Sequence, residues 1–148
     1  MGVDRPAPWE IKMQKNYKLL HLDDDPLEHR ALLRQLNNTT DILFEVESAF
    51  ELNQFNEILG KKDDLDFVVL DIFFAGASKI SGLNLIEKVK KSHPKATLLM
   101  SSNLDDPHCI LQCLQLGADE FLSKKIPCEN LVQRLVTLHE KTLIKKGY

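Results

Sequence analysis

Leu20-His21-Leu22-Asp23-Asp24-Asp25-Pro26-Leu27 passes from an apolar run into three consecutive carboxylates and then a proline. Leu19, Leu20 and Leu22 have the length and character of a buried strand. Asp25-Pro26 reads as a helix opening. Asp supplies an N-cap oxygen, and Pro suits the first helical position, where its missing N–H removes no hydrogen bond. Leu32, Leu33 and Leu36 then recur at helical spacing. The stretch is a strand running directly into a helix, with its acidic residues at the strand's carboxyl end.

The same alternation continues outward. Ile42 to Val46 reads as a second strand, and Ser48-Ala49-Phe50-Glu51 as a capping box opening a second helix to about Gly60. Phe67 to Leu70 is a third strand. Leu85, Ile86 and Val89 mark a third helix that stops before Pro94, and Thr97 to Met100 a fourth strand. Asp105-Asp106-Pro107 opens a fourth helix with Ile110, Cys113 and Leu114 on one face and Gly117 at its end. Glu120-Phe121-Leu122 is a short fifth strand. Pro127 is expected to open a last helix carrying Leu131, Val132, Leu135, Val136 and Leu138. Strands three and four are apolar throughout, as when both faces of a sheet are covered. Right-handed crossovers then give an α/β, doubly wound parallel sheet. Ligands of such sheets bind at the carboxyl ends of the strands, where strand order reverses.

Bulk properties narrow the functional classes. The chain has 148 residues, 43% hydrophobic and 28% charged, and a net charge of −3. That suits one soluble domain and gives no electrostatic footprint for nucleic acid or an anionic membrane. Lysines gather at 88, 90, 91 and 95 and at 141, 145 and 146, read here as solvated helix faces. No apolar run reaches membrane-spanning length, no signal-peptide core is present, and Pro6 spoils a myristoylation reading of Met1-Gly2. A cytoplasmic location is expected. Residues 1–15, with Trp9, read as a tail, 16–143 as the folded domain, and 144–148 as a C-terminal tail. Cys109, Cys113 and Cys128 form no CxxC pair, so they read as thiols that pack as small apolar residues. His21 reads as structural. His29, His93, His108 and His139 form no usable pattern, and no phosphodonor histidine is expected.

The strand ends carry the chemistry. Strand one ends in Asp23-Asp24-Asp25, strand three in Asp71, strand four in Ser101-Ser102, and strand five in Ser123-Lys124-Lys125. Clustered carboxylates repel unless a positive charge neutralises them. A hard divalent cation does so and leaves room for phosphate oxygens. A carboxylate beside such an ion can attack phosphorus, and phosphoryl transfer needs mainly positioning and charge neutralisation. Lys124 can supply further charge and Ser102 a hydroxyl donor. A nucleotide-binding protein of this architecture would instead place glycines and hydroxyls after strand one.

This ordered set resembles the receiver domains of two-component response regulators, of the chemotaxis-regulator type. The likeness runs from about residue 17 to about 140. It includes the first-strand signature at 20–27 and Gly117-Ala118-Asp119-Glu120-Phe121-Leu122-Ser123-Lys124. The resemblance implies a three-layer flavodoxin-like fold, with a five-stranded parallel sheet in order 2-1-3-4-5 flanked by five helices. It implies Asp71 as phosphoacceptor and Mg²⁺ or Mn²⁺ as cofactor. The metal would be held directly by Asp24 and Asp71, with help from Asp23, and by the Phe73 backbone carbonyl. Ser102 would be the switch hydroxyl, Lys124 the phosphate-pairing lysine and Phe121 the switch aromatic. A histidine kinase or histidine phosphotransfer protein would be the donor. A downstream protein would read the face made by helix four, strand five and helix five, and a homodimer is allowed.

Three departures stand out. Lys124-Lys125 replaces the family's Lys-Pro, Ala75-Gly76 replaces Pro-Gly, and the loop at 75–81 is longer. Phe73 and Leu104 are expected to shield an acyl phosphate and slow its hydrolysis. Two rival readings are a pseudo-receiver that scaffolds partners without phosphorylation, and an aspartyl-phosphate enzyme. The second wants an acid two residues after the nucleophile, where Phe73 stands, so the chain is expected not to be an enzyme.

Overall fold

The structure is a computed structural model, and it describes residues 15–39, 41–72, 83–103, 106–125 and 128–148. Strands and helices alternate in the order β1 (Lys15–Leu22), α1 (Pro26–Leu36), β2 (Ile42–Ala49), α2 (Leu52–Lys61), β3 (Phe67–Asp71), α3 (Leu83–Ser92), β4 (Thr97–Ser102), α4 (Pro107–Gln115), β5 (Glu120–Ser123) and α5 (Leu131–Lys145). All pairings are parallel, and the sheet order is β2-β1-β3-β4-β5. This is the doubly wound arrangement expected from the sequence. Regular structure reaches slightly beyond residues 16–143 at both ends.

Side-chain alternation along the strands builds two cores. Leu20, Leu22, Val68, Leu70, Leu98 and Met100 face α2, α3 and α4, meeting Phe55, Ile86 and Cys113. Leu19, Phe67, Val69 and Leu99 face α1 and α5, meeting Leu36, Leu131 and Leu135. β3 and β4 are buried along their whole length, which is why they lack a polar face.

Several local readings need correction. Ser48 and Ala49 belong to β2, where they pair with His21 and Leu22, so no capping box forms. The pairing partner extends the strand past the point where local propensity would end it. α2 starts at Leu52 behind Glu51, whose side chain makes no cap bond, and Gln54 Oε1 accepts from Phe50 N instead. On α4 the buried face is Cys109 and Cys113, while Leu114 is exposed. α5 starts at Leu131 rather than at Pro127, which lies outside the described residues. The lysine clusters are not all solvated. Lys90 Nζ lies 2.8 Å and Lys146 Nζ 3.8 Å from Asp119 Oδ2, and Lys95 Nζ sits 4.7 Å over the Tyr148 ring. Trp9, the 75–81 loop, Leu104 and Asp105 also lie outside the described residues.

Candidate phosphoacceptor and metal site

Each site residue is placed by the end of an element. The Asp25 side chain caps α1 through Leu27 N at 2.9 Å, so the chain turns sharply after β1. That turn leaves Asp23 buried and Asp24 exposed. Asp23 Oδ1 accepts from Asp25 N at 3.0 Å, and Asp23 Oδ2 lies 2.6 Å from Lys124 Nζ. Asp71 ends β3, with its Oδ1 3.4 Å from the same ammonium. One oxygen each of Asp23, Asp24 and Asp71 falls within a 4.8 Å group that suits a metal ion.

Backbone bonds set Lys124. Its N–H donates to the Ser102 carbonyl at 2.8 Å, and Lys125 N donates to Ser123 Oγ at 3.2 Å. Among the described residues no peptide bond is cis, so Lys124-Lys125 is trans and still delivers the ammonium. Burial pulls the Lys124 ammonium toward neutrality. The Asp23 hydrogen bond and the charges of Asp71, Asp23 and Glu28 outweigh this and hold it above the ordinary lysine range. Three carboxylates facing one ammonium leave a local excess of negative charge.

Ser102 ends β4, is 2% exposed, and is tied to Lys124 through its carbonyl. Ser101 is also buried, opposite Asp71 in the β3–β4 register. Phe121 is half-buried against the α2–α4 core. The Phe73 carbonyl lies outside the described residues.

Sequence reasoning missed what lies behind Asp23. His29 Nε2 is 2.7 Å from the Asp23 carbonyl oxygen. Its ring packs at a tilt between His21 and Phe50, with both centroid separations 4.3 Å. Burial, helped by the charges of His29 and Lys124, pushes the His21 pKa down to about 3, so His21 stays neutral. A signal existed: His29, Leu32 and Leu36 share the buried face of α1 at helical spacing.

A family model described as the response regulator receiver domain matches residues 19–136. The chain belongs to the response regulator receiver family. Curated relatives of this receiver include the glycerol metabolism activator of Pseudomonas putida, 30% identical over 113 residues, covering 75% of this chain and 48% of that protein. A cyclic di-GMP phosphodiesterase of Thermotoga maritima is 23% identical, covering 76% of this chain and 28% of that protein. The receiver thus spans less than half the length of these relatives. Its fold is shared by the CheY-like receiver domain protein of Methanospirillum hungatei, with a TM-score of 0.72, 20% identity, and coverage of 90% of this chain and 100% of that one. A response regulator of Burkholderia pseudomallei gives a TM-score of 0.69 at 21% identity over 88% of this chain and 73% of that one; its crystal structure holds a phosphorylated aspartic acid, a calcium ion and citrate. Among the described residues, no helix of the receiver is long and apolar enough to cross a membrane.

Proposed function

We propose that this receiver is a phosphorylation switch that takes a phosphoryl group on Asp71 from a histidine kinase or a histidine phosphotransfer protein. The observation that carries this reading is the convergence of Asp23, Asp24, Asp71 and Lys124, drawn from three separate strand ends, within ion-pair reach. The excess negative charge and the oxygen-only donor set fit Mg²⁺ or Mn²⁺. Asp24, open to solvent, and Asp71 would hold the ion directly. Asp23, whose two oxygens already meet Asp25 N and Lys124, would assist from behind. A bound ion would neutralise the charge on the phosphoryl oxygens during transfer.

The protein's own groups do the rest. An Asp71 carboxylate oxygen attacks phosphorus, and the bond from phosphorus to the donor's imidazole nitrogen breaks. Lys124 moves its ammonium from Asp23 toward the new phosphoryl oxygens, and the Ser102 hydroxyl donates to one of them. Because Lys124 N is bonded to the Ser102 carbonyl, the ends of β4 and β5 move together. Phe121, on β5 between these groups and α4, transmits the shift to a face where Leu111 and Leu114 lie exposed. A partner that prefers the shifted face reads the result.

The test is intact mass after incubation with acetyl phosphate and Mg²⁺. One added phosphate is expected, absent from Asp71→Asn and absent without the ion. No addition under any condition would make the chain a phosphorylation-independent scaffold.

A further inference from the structure

Two buried histidines make the same bond in different places. His29 Nε2 lies 2.7 Å from the Asp23 carbonyl oxygen, and His93 Nε2 lies 2.8 Å from the Leu59 carbonyl oxygen. The two residues are 4% and 5% exposed. A carbonyl oxygen only accepts, so each Nε2 carries a proton and donates it. His93 follows α3 and ties it to Leu59 on α2, across the sheet from α1. His29 ties α1 to the loop that carries the acidic residues.

The sequence explains the reach. Pro26 opens α1, so His29 stands in its first turn. Helical side chains lean toward the N-terminus, which brings this ring back past the Asp25 cap to Asp23. His21 and Phe50 flank the ring and leave it little freedom to turn. Asp23 is held at its other polar atoms too. Its N–H donates to the Ala49 carbonyl at 3.1 Å, Oδ1 accepts from Asp25 N at 3.0 Å, and Oδ2 lies 2.6 Å from Lys124 Nζ. The carbonyl is the atom whose direction passes on to the next residue. A peptide unit is planar, so fixing the Asp23 carbonyl also fixes the Asp24 N–H and the point from which Asp24 departs. Asp24 is exposed, yet one of its carboxylate oxygens lies within the 4.8 Å group with Asp23 and Asp71. No packing aims such a side chain, so its backbone decides where it can reach.

We propose that His29 is a positioning residue of the metal site, aiming the Asp24 carboxylate through the Asp23–Asp24 peptide. This rests on the reading of Asp24 and Asp71 as direct ligands of a divalent ion. Groups that orient metal ligands from behind typically change affinity about 10–100-fold when removed. His29 meets neither the ion nor the phosphoryl group and acts through the peptide alone.

The test measures Mn²⁺ binding to the unphosphorylated full chain, from the electron paramagnetic resonance signal of the free ion. The parent chain is expected to bind one ion. His29→Leu, which keeps apolar bulk and loses the donor, should bind about tenfold more weakly. His29→Asn, whose amide falls short of the carbonyl, should match it. His29→Gln, whose amide nitrogen can stand where Nε2 stood, should recover most of the affinity. His93→Leu loses the same kind of bond and is expected to bind Mn²⁺ as the parent does, which separates positioning from a general loss of stability. In chelator, the Asp24 amide resonance should shift in His29→Leu and hold its place in His93→Leu. A parent that binds no Mn²⁺ would overturn the metal reading and the inference together. A parent that binds, with His29→Leu and His29→Asn as tight as it or His93→Leu as weak as they are, would overturn the inference alone.

Discussion

Lys124 is the only cation placed between Asp23 and Asp71 among the described residues, and its side chain is nearly as buried as theirs. Removing one partner of a buried ion pair typically costs about 3–5 kcal/mol, because it strands the other charge. Lys124→Ala is therefore expected to lower the unfolding free energy by an amount in that range, measured by urea unfolding in a chelator. Asp24 has the opposite expectation. Its carboxylate adds to the repulsion and lies exposed, so Asp24→Asn should raise the melting temperature in chelator and abolish the rise expected when Mg²⁺ is added to the parent chain. Calorimetry with and without the ion checks both. These four residues were legible because apolar runs show where strands stop, and a parallel sheet gathers the stops at one edge. His29 was not, since a histidine in a list of scattered histidines carries no signal until the helix face it shares is drawn.

Asn130 precedes α5 with φ 56°, the left-handed region, and its side chain caps nothing. Asparagine tolerates that conformation and a β-branched residue does not. Asn130→Val is expected to cost more than about 1 kcal/mol, whereas Asn130→Gly should be neutral or slightly stabilising, again read by urea unfolding. The start of α5 escaped the sequence because Pro127 is a strong opening signal, and the backbone reversal at Asn130 has no counterpart in composition. The false capping box at Ser48 has a similar origin: β1 offers a pairing partner to the end of β2, and only the register reveals it. In α4 the sequence set Ile110, Cys113 and Leu114 on one face; Cys113 is buried as expected, but its companion against the sheet is Cys109, and Leu114 is exposed. This gives a pH prediction. Folding raises the Cys113 pKa to about 12, so above about pH 9 the unfolded chain releases a proton that the folded chain keeps. Stability from this group is intact below pH 9 and is lost as pH rises, by up to about 1.4 kcal/mol per pH unit. Cys113→Val should flatten that part of the stability curve between pH 9 and 10.5.

The two ends of the sheet are held differently. At the end away from Asp71, Thr97 Oγ1 meets His139 Nδ1 and Thr142 Oγ1, each at 2.8 Å, fixing α5 to β4. His139 Nε2 approaches Asp66 at 3.7 Å, and Asp66 accepts from Lys18 N at 2.8 Å. Asp119 accepts from Leu98 N and Lys90 Nζ, both at 2.8 Å, which ties the entry of β5 to β4 and α3. Little of this was legible, because each bond joins residues far apart in sequence that look like ordinary surface polar groups. Amide exchange is expected to be slowest in β1, β3 and β4 and faster in β5, whose residues are all half-buried. On phosphorylation the changes should stay at the Asp71 end, and mass-detected exchange would show whether the opposite end stays quiet. The ammonium of Lys124 adds one more consequence. It acts as a resident counterion to Asp23 and Asp71. On the proposed reading, a shift in magnesium supply would alter how readily a message is written onto the protein far more than how much folded protein stands ready to receive it.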